Sequence, residues 1–198
     1  MPDANATLPD DIRFVAYLDP LKNVIRFNGL FDGSRQENTA KHSWHAALSA
    51  LILAPYADEA VKIERVIQML LIHDLIEIEA GDTFVYDPQA MAQQDQAEQE
   101  AAEIVFNQLP LPLSETLRAL WEEFEARTTP EAKFAKSIDR FLPIYSNICN
   151  GGYSWLPYKV SLAQVQENIT IIRAGSTRLA DLADDMLTSA AQKGWLTP

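Results

Sequence analysis

Residues Glu64 to Gly81 read ERVIQMLLIHDLIEIEAG. Within this stretch VIQMLLI, Val66 to Ile72, is apolar on nearly every side of a helix, the pattern of a helix at the centre of a bundle. The spacing predicts a helix from Ala60 to about Ile78, closed by Gly81. His73 and Asp74 come directly after the apolar run. Burying an imidazole beside a carboxylate costs roughly several kcal/mol of lost hydration unless a partner compensates, and a metal ion is one such partner. Glu77 follows His73 by four residues and Asp74 by three, so all three side chains can line one side of a helix. The plainer alternative is a helix end where His73 and Asp74 cap the helix or meet solvent.

Working outward, apolar residues recur at helical spacing over most of the chain and no convincing run of alternating strand residues appears. The fold class expected is all-α, a helical bundle in one domain spanning residues 1–198, with a core over about 10–150 and C-terminal helices over 160–193 packed on it. A first helix is expected over about Asp10 to Val24, with Ile12, Val15, Leu18 and Leu21 on one face. A second starts near Glu37 or Asn38 and ends by Pro55, burying Ala46, Leu48, Leu51 and Ile52. After a loop through Asp82 and Asp87, a polar helix runs to about Leu109. Further helices fit Ser114 to Arg127, Glu131 to Asn150, Leu162 to Arg173 and Ser176 to Lys193, with Ser161 and Gln164 spaced as a capping box.

Composition narrows the function. Sixteen Lys and Arg against 28 Asp and Glu give a net charge of −12, which repels polyanions, so no nucleic-acid polymer is expected as a partner. Phe141 to Tyr158, the longest uncharged stretch, is interrupted by Pro143, Gly151, Gly152 and Pro157, so no membrane span is expected. Cys149 is the single cysteine, which excludes an internal disulfide and a CxxC zinc site. With no signal-peptide pattern at the N-terminus, the expected localisation is cytoplasmic. The seven glycines, at 29, 33, 81, 151, 152, 175 and 194, make neither GxGxxG nor GxxxxGK, so phosphate chemistry has to rely on side chains or a metal.

There are three histidines, His42, His45 and His73. His42 lies in the first turns of the second expected helix, and Asp139 lies in FAKSIDRFLPIY on the margin of a buried face. Together, His42, His73, Asp74 and Asp139 offer two imidazoles and two carboxylates from three helices. That is a mixed N/O set suited to one divalent transition metal ion, Mn, Fe, Co, Ni or Zn, with positions left for water and substrate. For Asp139 the competing reading is a local pair with Lys136 or Arg140. His45, one helical turn beyond His42, reads either as reaching the substrate pocket or, with Trp44 beside it, as a packed, hydrogen-bonded histidine, and stays outside the metal set.

The ordered set His42, His73-Asp74, Asp139 resembles the H…HD…D signature of the HD-domain metal-dependent phosphohydrolases. ENTAKHSWH (Glu37 to His45), HDLIEIEAGD (His73 to Asp82) and KSID ending at Asp139 resemble the 5'-deoxynucleotidase branch, and the likeness runs from LKNVIRF at Leu21 through Arg140. The resemblance implies His42, His73, Asp74 and Asp139 as metal ligands, Glu77 and Asp82 as the acids that handle attacking water and leaving group, and Arg26 as a phosphate contact. Phe27 falls at a substrate-binding position often held by tryptophan, which bears on sugar and base selectivity, and Lys41 replaces a commonly acidic residue. No histidine follows His73, so a mononuclear site is expected. The implied activity is hydrolysis of a (deoxy)nucleoside 5'-monophosphate to nucleoside and phosphate, by a homodimer, with Tyr153 to Tyr158 as an interface or as cover for the chain's own core. Arg26, Arg35 and Lys41 are the candidate cations for a dianionic ester, the last two read more readily as surface charges. Alternatives are another small phosphate ester or diester as substrate, a noncatalytic nucleotide sensor, or a bundle whose His and Asp residues are structural.

Overall fold

The computed structural model describes residues 8–198. Among the described residues its regular structure is helical except for a two-stranded ribbon. The helices are α1 (Asp10–Tyr17), α2 (Thr39–Leu53), α3 (Ile63–Ile72), α4 (Glu77–Ala80), α5 (Pro88–Phe106), α6 (Leu113–Ala126), α7 (Pro130–Cys149), α8 (Trp155–Tyr158), α9 (Leu162–Arg173) and α10 (Thr177–Gln192). α7 is the central rod: it packs against α2, α3, α6, α9 and α10, and against strand β1 (Ile25–Gly29). Its buried residues include Phe134, Ile138 and Ile144, which lie at the middle of the core. No helix among the described residues is long and apolar enough to cross a membrane.

Local chemistry sets most boundaries. Asn38 caps α2 by accepting from the Lys41 amide, Asp87 caps α5 ahead of Pro88, and Thr129 and Ser176 cap α7 and α10. The Ser161/Gln164 capping box forms as the spacing requires.

Four expectations need correcting. The helix expected over Asp10 to Val24 ends at Tyr17. A 3-10 segment, Asp19–Asn23, replaces the rest, because Pro20 has no amide proton to continue the α ladder. Ile12 and Val15 are exposed, and Phe14 and Leu21 are the buried residues.

The chain then forms β1, which pairs antiparallel with β2 (Gln36–Asn38) through Ile25 with Asn38 and Gly29 with Gln36, with an irregularity between. This ribbon escapes the sequence pattern because its polarity is inverted: Ile25 faces solvent and Arg26 is buried.

In α2 the small and polar face turns inward. Thr39, His42, Ser43, Ala46, Ala47 and Ala50 are buried, whereas Leu48, Leu51 and Ile52 are exposed. Small side chains let α3 approach closely, and placing His42 inside fixes the face.

The helix expected to run to Ile78 stops at Ile72. Leu70 O, the acceptor that the Asp74 amide would use in a continuing helix, receives His73 Nδ1 at 3.0 Å instead. The chain tightens through i to i+3 bonds (Leu75 N to Ile72 O, Glu77 N to Asp74 O) and re-forms as α4, which ends at Gly81 with φ 75°. Leu71 is half-exposed, so α3 is not buried all round. In the stretch Tyr153 to Tyr158, Trp155 is buried in the chain's own core, while Leu156 and Tyr158 face solvent.

Candidate metal centre

His42 from α2, His73 from the end of α3 and Asp139 from α7 converge in the middle of the bundle, with one donor atom from each lying within 4.8 Å of the others. All three are buried. His42 Nε2 is 3.1 Å from Asp139 Oδ1, His73 Nε2 is 3.4 Å from the same oxygen, and His73 Nε2 is 3.0 Å from Asp74 Oδ1. Two donors about 2.1 Å from a common ion, at angles between a right angle and a tetrahedral one, stand about 3.0 to 3.4 Å apart. The donor spacing therefore fits a first-row divalent cation.

The imidazoles are pre-oriented for that role. His73 Nδ1 faces the Leu70 carbonyl, which can only accept, so this nitrogen keeps its proton and Nε2 is the one that faces the centre and can be given up to a metal. His73 Nε2 is also one of the few buried polar atoms with no hydrogen-bond partner among the described residues. His42 Nδ1 is 3.3 Å from Glu37 Oε2, a carboxylate behind the ring of the kind that holds metal-binding histidines in place. Glu37 lies inside ENTAKHSWH, yet sequence reasoning assigns it no role. The signal for it is contact across the end of β2, which spacing does not encode.

Arg26 reaches into the same site from β1. Its Nη1 donates to Asp74 Oδ2 at 2.7 Å and to Glu77 Oε1 at 3.5 Å, and lies 3.7 Å from Asp82 Oδ1. Asp74 thus offers one oxygen to the histidine side and the other to the guanidinium. Glu77 also accepts from Thr39 Oγ1 at 2.6 Å, and Asp82 Oδ2 accepts from the Phe27 amide at 3.0 Å. The Phe27 ring packs on Phe84, with centroids 4.9 Å apart, and meets Tyr158 edge-on. His45 packs edge-on against Phe31, and its ring is no part of the donor cluster. Arg35 and Lys41 are exposed, so of the three candidate cations only Arg26 lies in the site.

The electrostatics follow from crowding these charges together. Burial disfavours the charged forms of His73, Asp74 and Asp139, but mutual attraction wins. His73 is pushed up to about 10 by Asp74 and Asp139, while Asp74 and Asp139 are held below the ordinary carboxylate range by the histidines, with Arg26 adding to the effect at Asp74. His42 is also raised, as its bonds to Asp139 and Glu37 overcome burial and the repulsion of Arg26. For Glu77 the balance is reversed: burial first and Asp74 second push it well above the usual carboxylate value. Asp82 is raised as well, chiefly by burial. One group of acids is therefore fixed as anions while two neighbours hold protons more readily.

Two cavities open beside the cluster. A small one of about 50 Å³ is bordered by Arg26, Phe27, Asp82, Asp139 and Arg140. It adjoins a larger one of about 520 Å³ between α5, α6, α7 and α9, and Tyr86, Arg140 and Asn168 line both. Sequence reasoning assigns no substrate role to Arg140 or Asn168, because a cation next to Asp139 and an amide on a C-terminal helix look like ordinary surface residues.

Comparison with known proteins gives consistent results. The family model for the HD domain matches residues 18–179. The human protein 5'-deoxynucleotidase HDDC2 is 28% identical over 130 residues, 65% of this chain and 62% of the relative. The fission yeast (Schizosaccharomyces pombe) protein 5'-deoxynucleotidase hdd1 is 30% identical over 135 residues, 66% of this chain and 67% of that protein. The match spans less than two-thirds of the length of the human relative. A crystal structure described as a predicted metal-dependent phosphohydrolase from Magnetospirillum magnetotacticum superposes with a TM-score of 0.90 at 44% identity, covering 96% of this chain and 95% of the other.

Proposed function

This chain belongs to the HD-domain family, and from that premise we propose that it is a metal-dependent phosphohydrolase releasing inorganic phosphate from (deoxy)nucleoside 5'-monophosphates. The observation that carries the proposal is the convergence of His42 Nε2, His73 Nε2 and Asp139 Oδ1 in one buried site, with Asp74 and Arg26 against it. His42, His73, Asp74 and Asp139 would hold one divalent ion, Mn, Fe, Co, Ni or Zn. When bound, such an ion supplies charge neutralisation at a phosphoryl oxygen and a water of lowered pKa.

The chain's own residues do the remaining work. Arg26 binds the phosphate as a charge-assisted donor; burial works against its charge, but four surrounding carboxylates hold its pKa above the ordinary arginine value. Glu77, raised by burial and seated against Thr39, takes a proton from the attacking water. Asp82 borders the cavity on the substrate side and gives a proton to the leaving alkoxide as the ester P–O bond breaks. The larger cavity, of about 520 Å³, falls within the size range of small-molecule sites and takes the nucleoside.

The test is phosphate release from a panel of 2'-deoxy and ribo 5'-monophosphates, with a phosphodiester control, using protein stripped of metal and reloaded with Mn, Co or Zn. Metal-dependent release from the monoesters alone is expected, and the deoxy-to-ribo ratio reports what phenylalanine at position 27 does to sugar selectivity. Release from the diester alone, or from nothing despite bound metal, would sink the assignment.

The charge state of His73 makes a separate prediction. A ligand imidazole must be neutral, so metal uptake at neutral pH displaces its proton, and affinity climbs as the pH rises toward about 10. Binding heats for Mn measured in two buffers of different ionisation enthalpy count the protons released, and a count of zero at neutral pH contradicts this reading. In the metal-free chain the sign is opposite. The raised imidazole contributes stability that is complete below the ordinary histidine value of 6.5 and is lost as the pH climbs through about 10.

A further inference from the structure

Two guanidinium groups border the small cavity beside Asp139, and they differ in how they are used. Arg26 already donates through Nη1 to Asp74 and, more weakly, to Glu77. Arg140 makes no hydrogen bond among the described residues, although only 22% of its side chain is exposed and its Nε is buried without a partner. Asp139 Oδ2 lies 3.7 Å from Arg140 Nε, beyond hydrogen-bond reach. The Nε–H of Arg140 is thus withdrawn from water without an acceptor within hydrogen-bond reach, a cost that a bound anion would return.

The charge balance of the site calls for such a group. The anions Glu37, Asp74 and Asp139 already offset the charge of a divalent ion and Arg26, and Glu77 and Asp82 crowd in beside them, so the centre has little positive charge to spare for a dianionic ester. Lys136, 3.9 Å from Asp139, is not free to help. Its ammonium pairs with Glu125 at 3.2 Å and lies over the Phe124 ring. Arg140 also stands at the one place where a second cation would orient as well as attract, since it lines both the small cavity and the larger one, together with Asn168.

We propose that Arg140 is a second phosphate-binding residue, clamping the phosphoryl group from the side opposite Arg26 and turning the ester oxygen toward the larger cavity. The proposal rests on the reading of the substrate as a phosphate monoester. It assigns Arg140 to the phosphoryl group itself, so the weakening extends to inorganic phosphate, which has no leaving group.

The test therefore uses inorganic phosphate, titrated calorimetrically into the Mn-loaded protein and measured as a competitive inhibitor of monoester hydrolysis. Arg140→Gln is expected to weaken phosphate binding about 10- to 100-fold, the loss typical of a charge-assisted donor pair, and to raise KM for the monoester by a similar factor. Arg140→Lys, which keeps the charge but not the planar fork, falls between the two. Metal content and melting temperature are measured for each variant so that only folded, loaded protein is compared. Unchanged phosphate affinity in both variants, or no phosphate binding by the parent protein, overturns the proposal. The two readings can fail separately. If the parent hydrolyses no monoester yet Arg140→Gln still weakens phosphate binding, the substrate assignment falls and the phosphate site stands. Normal turnover with unchanged phosphate affinity and KM in the variants does the reverse.

Discussion

Asp74→Ala is expected to reduce metal-dependent phosphate release at least about 1,000-fold, equivalent to roughly 4 kcal/mol of transition-state stabilisation. The size of the effect follows from the two tasks of one carboxylate. Its Oδ1 stands 3.0 Å from His73 Nε2 in the donor cluster, and its Oδ2 holds Arg26 Nη1 at 2.7 Å. Removing both oxygens takes away one of the four proposed ligands and releases the arginine, whose remaining carboxylate contacts, Glu77 at 3.5 Å and Asp82 at 3.7 Å, are longer. Asp74→Asn separates the tasks, because the amide keeps the shape and an acceptor oxygen but loses the charge. Metal content measured by emission spectroscopy should fall in the alanine variant. Retention of more than about a tenth of the parent rate by well-loaded Asp74→Ala would show that the centre works without this residue, contrary to the loss expected for a ligand.

The largest expected effect on stability lies away from the chemistry. Gly175→Ala should destabilise the fold by about 3 kcal/mol, the upper end of ordinary overpacking, and lower Tm by about 6 to 12 °C. A methyl group there would sit 2.4 Å from both the carbonyl carbon and the oxygen of Lys133 and 2.6 Å from the Phe134 amide nitrogen. These are backbone atoms of α7, not the yielding end of a side chain. Nor can the turn slide aside easily: Gly175 O accepts from the Asp58 amide, and Ser137 Oγ ties Ile172 O to α7 at 2.8 Å. Thermal and urea denaturation of the variant measure the change, and a melting temperature within about 1 °C of the parent would mean that α9 and α10 can shift off α7 at little cost.

Gly175 also illustrates what the sequence conceals. It reads as a break between two helices, which is correct, but nothing local says that the backbone of another helix passes at contact distance. Features written in neighbouring residues were legible, as the Ser161/Gln164 box and the Asn38 start of α2 illustrate. Features set by distant partners were not. Leu48, Leu51 and Ile52 look like a core face until His42 claims the other side of the helix. The end of α3 depends on a ring nitrogen capturing Leu70 O, an event with no glycine or proline to mark it. In the site, His42, His73, Asp74 and Asp139 stood out as unusual residues in apolar surroundings. Glu37 and Arg140 did not: Glu37 meets His42 only once the chain bends from β2 into α2, and the cavities beside Arg140 exist only in the assembled bundle.

The order in which the donors occur along the chain has a consequence for biosynthesis. His42 and His73 are made early, but Asp139 sits on α7, and the helices that wedge α7 into place, α9 and α10, extend to Gln192. A nascent chain cut short before α7 carries only an open fragment of the chelate. Assembly of the donor set thus waits on synthesis of α7 and of the helices that hold it in place.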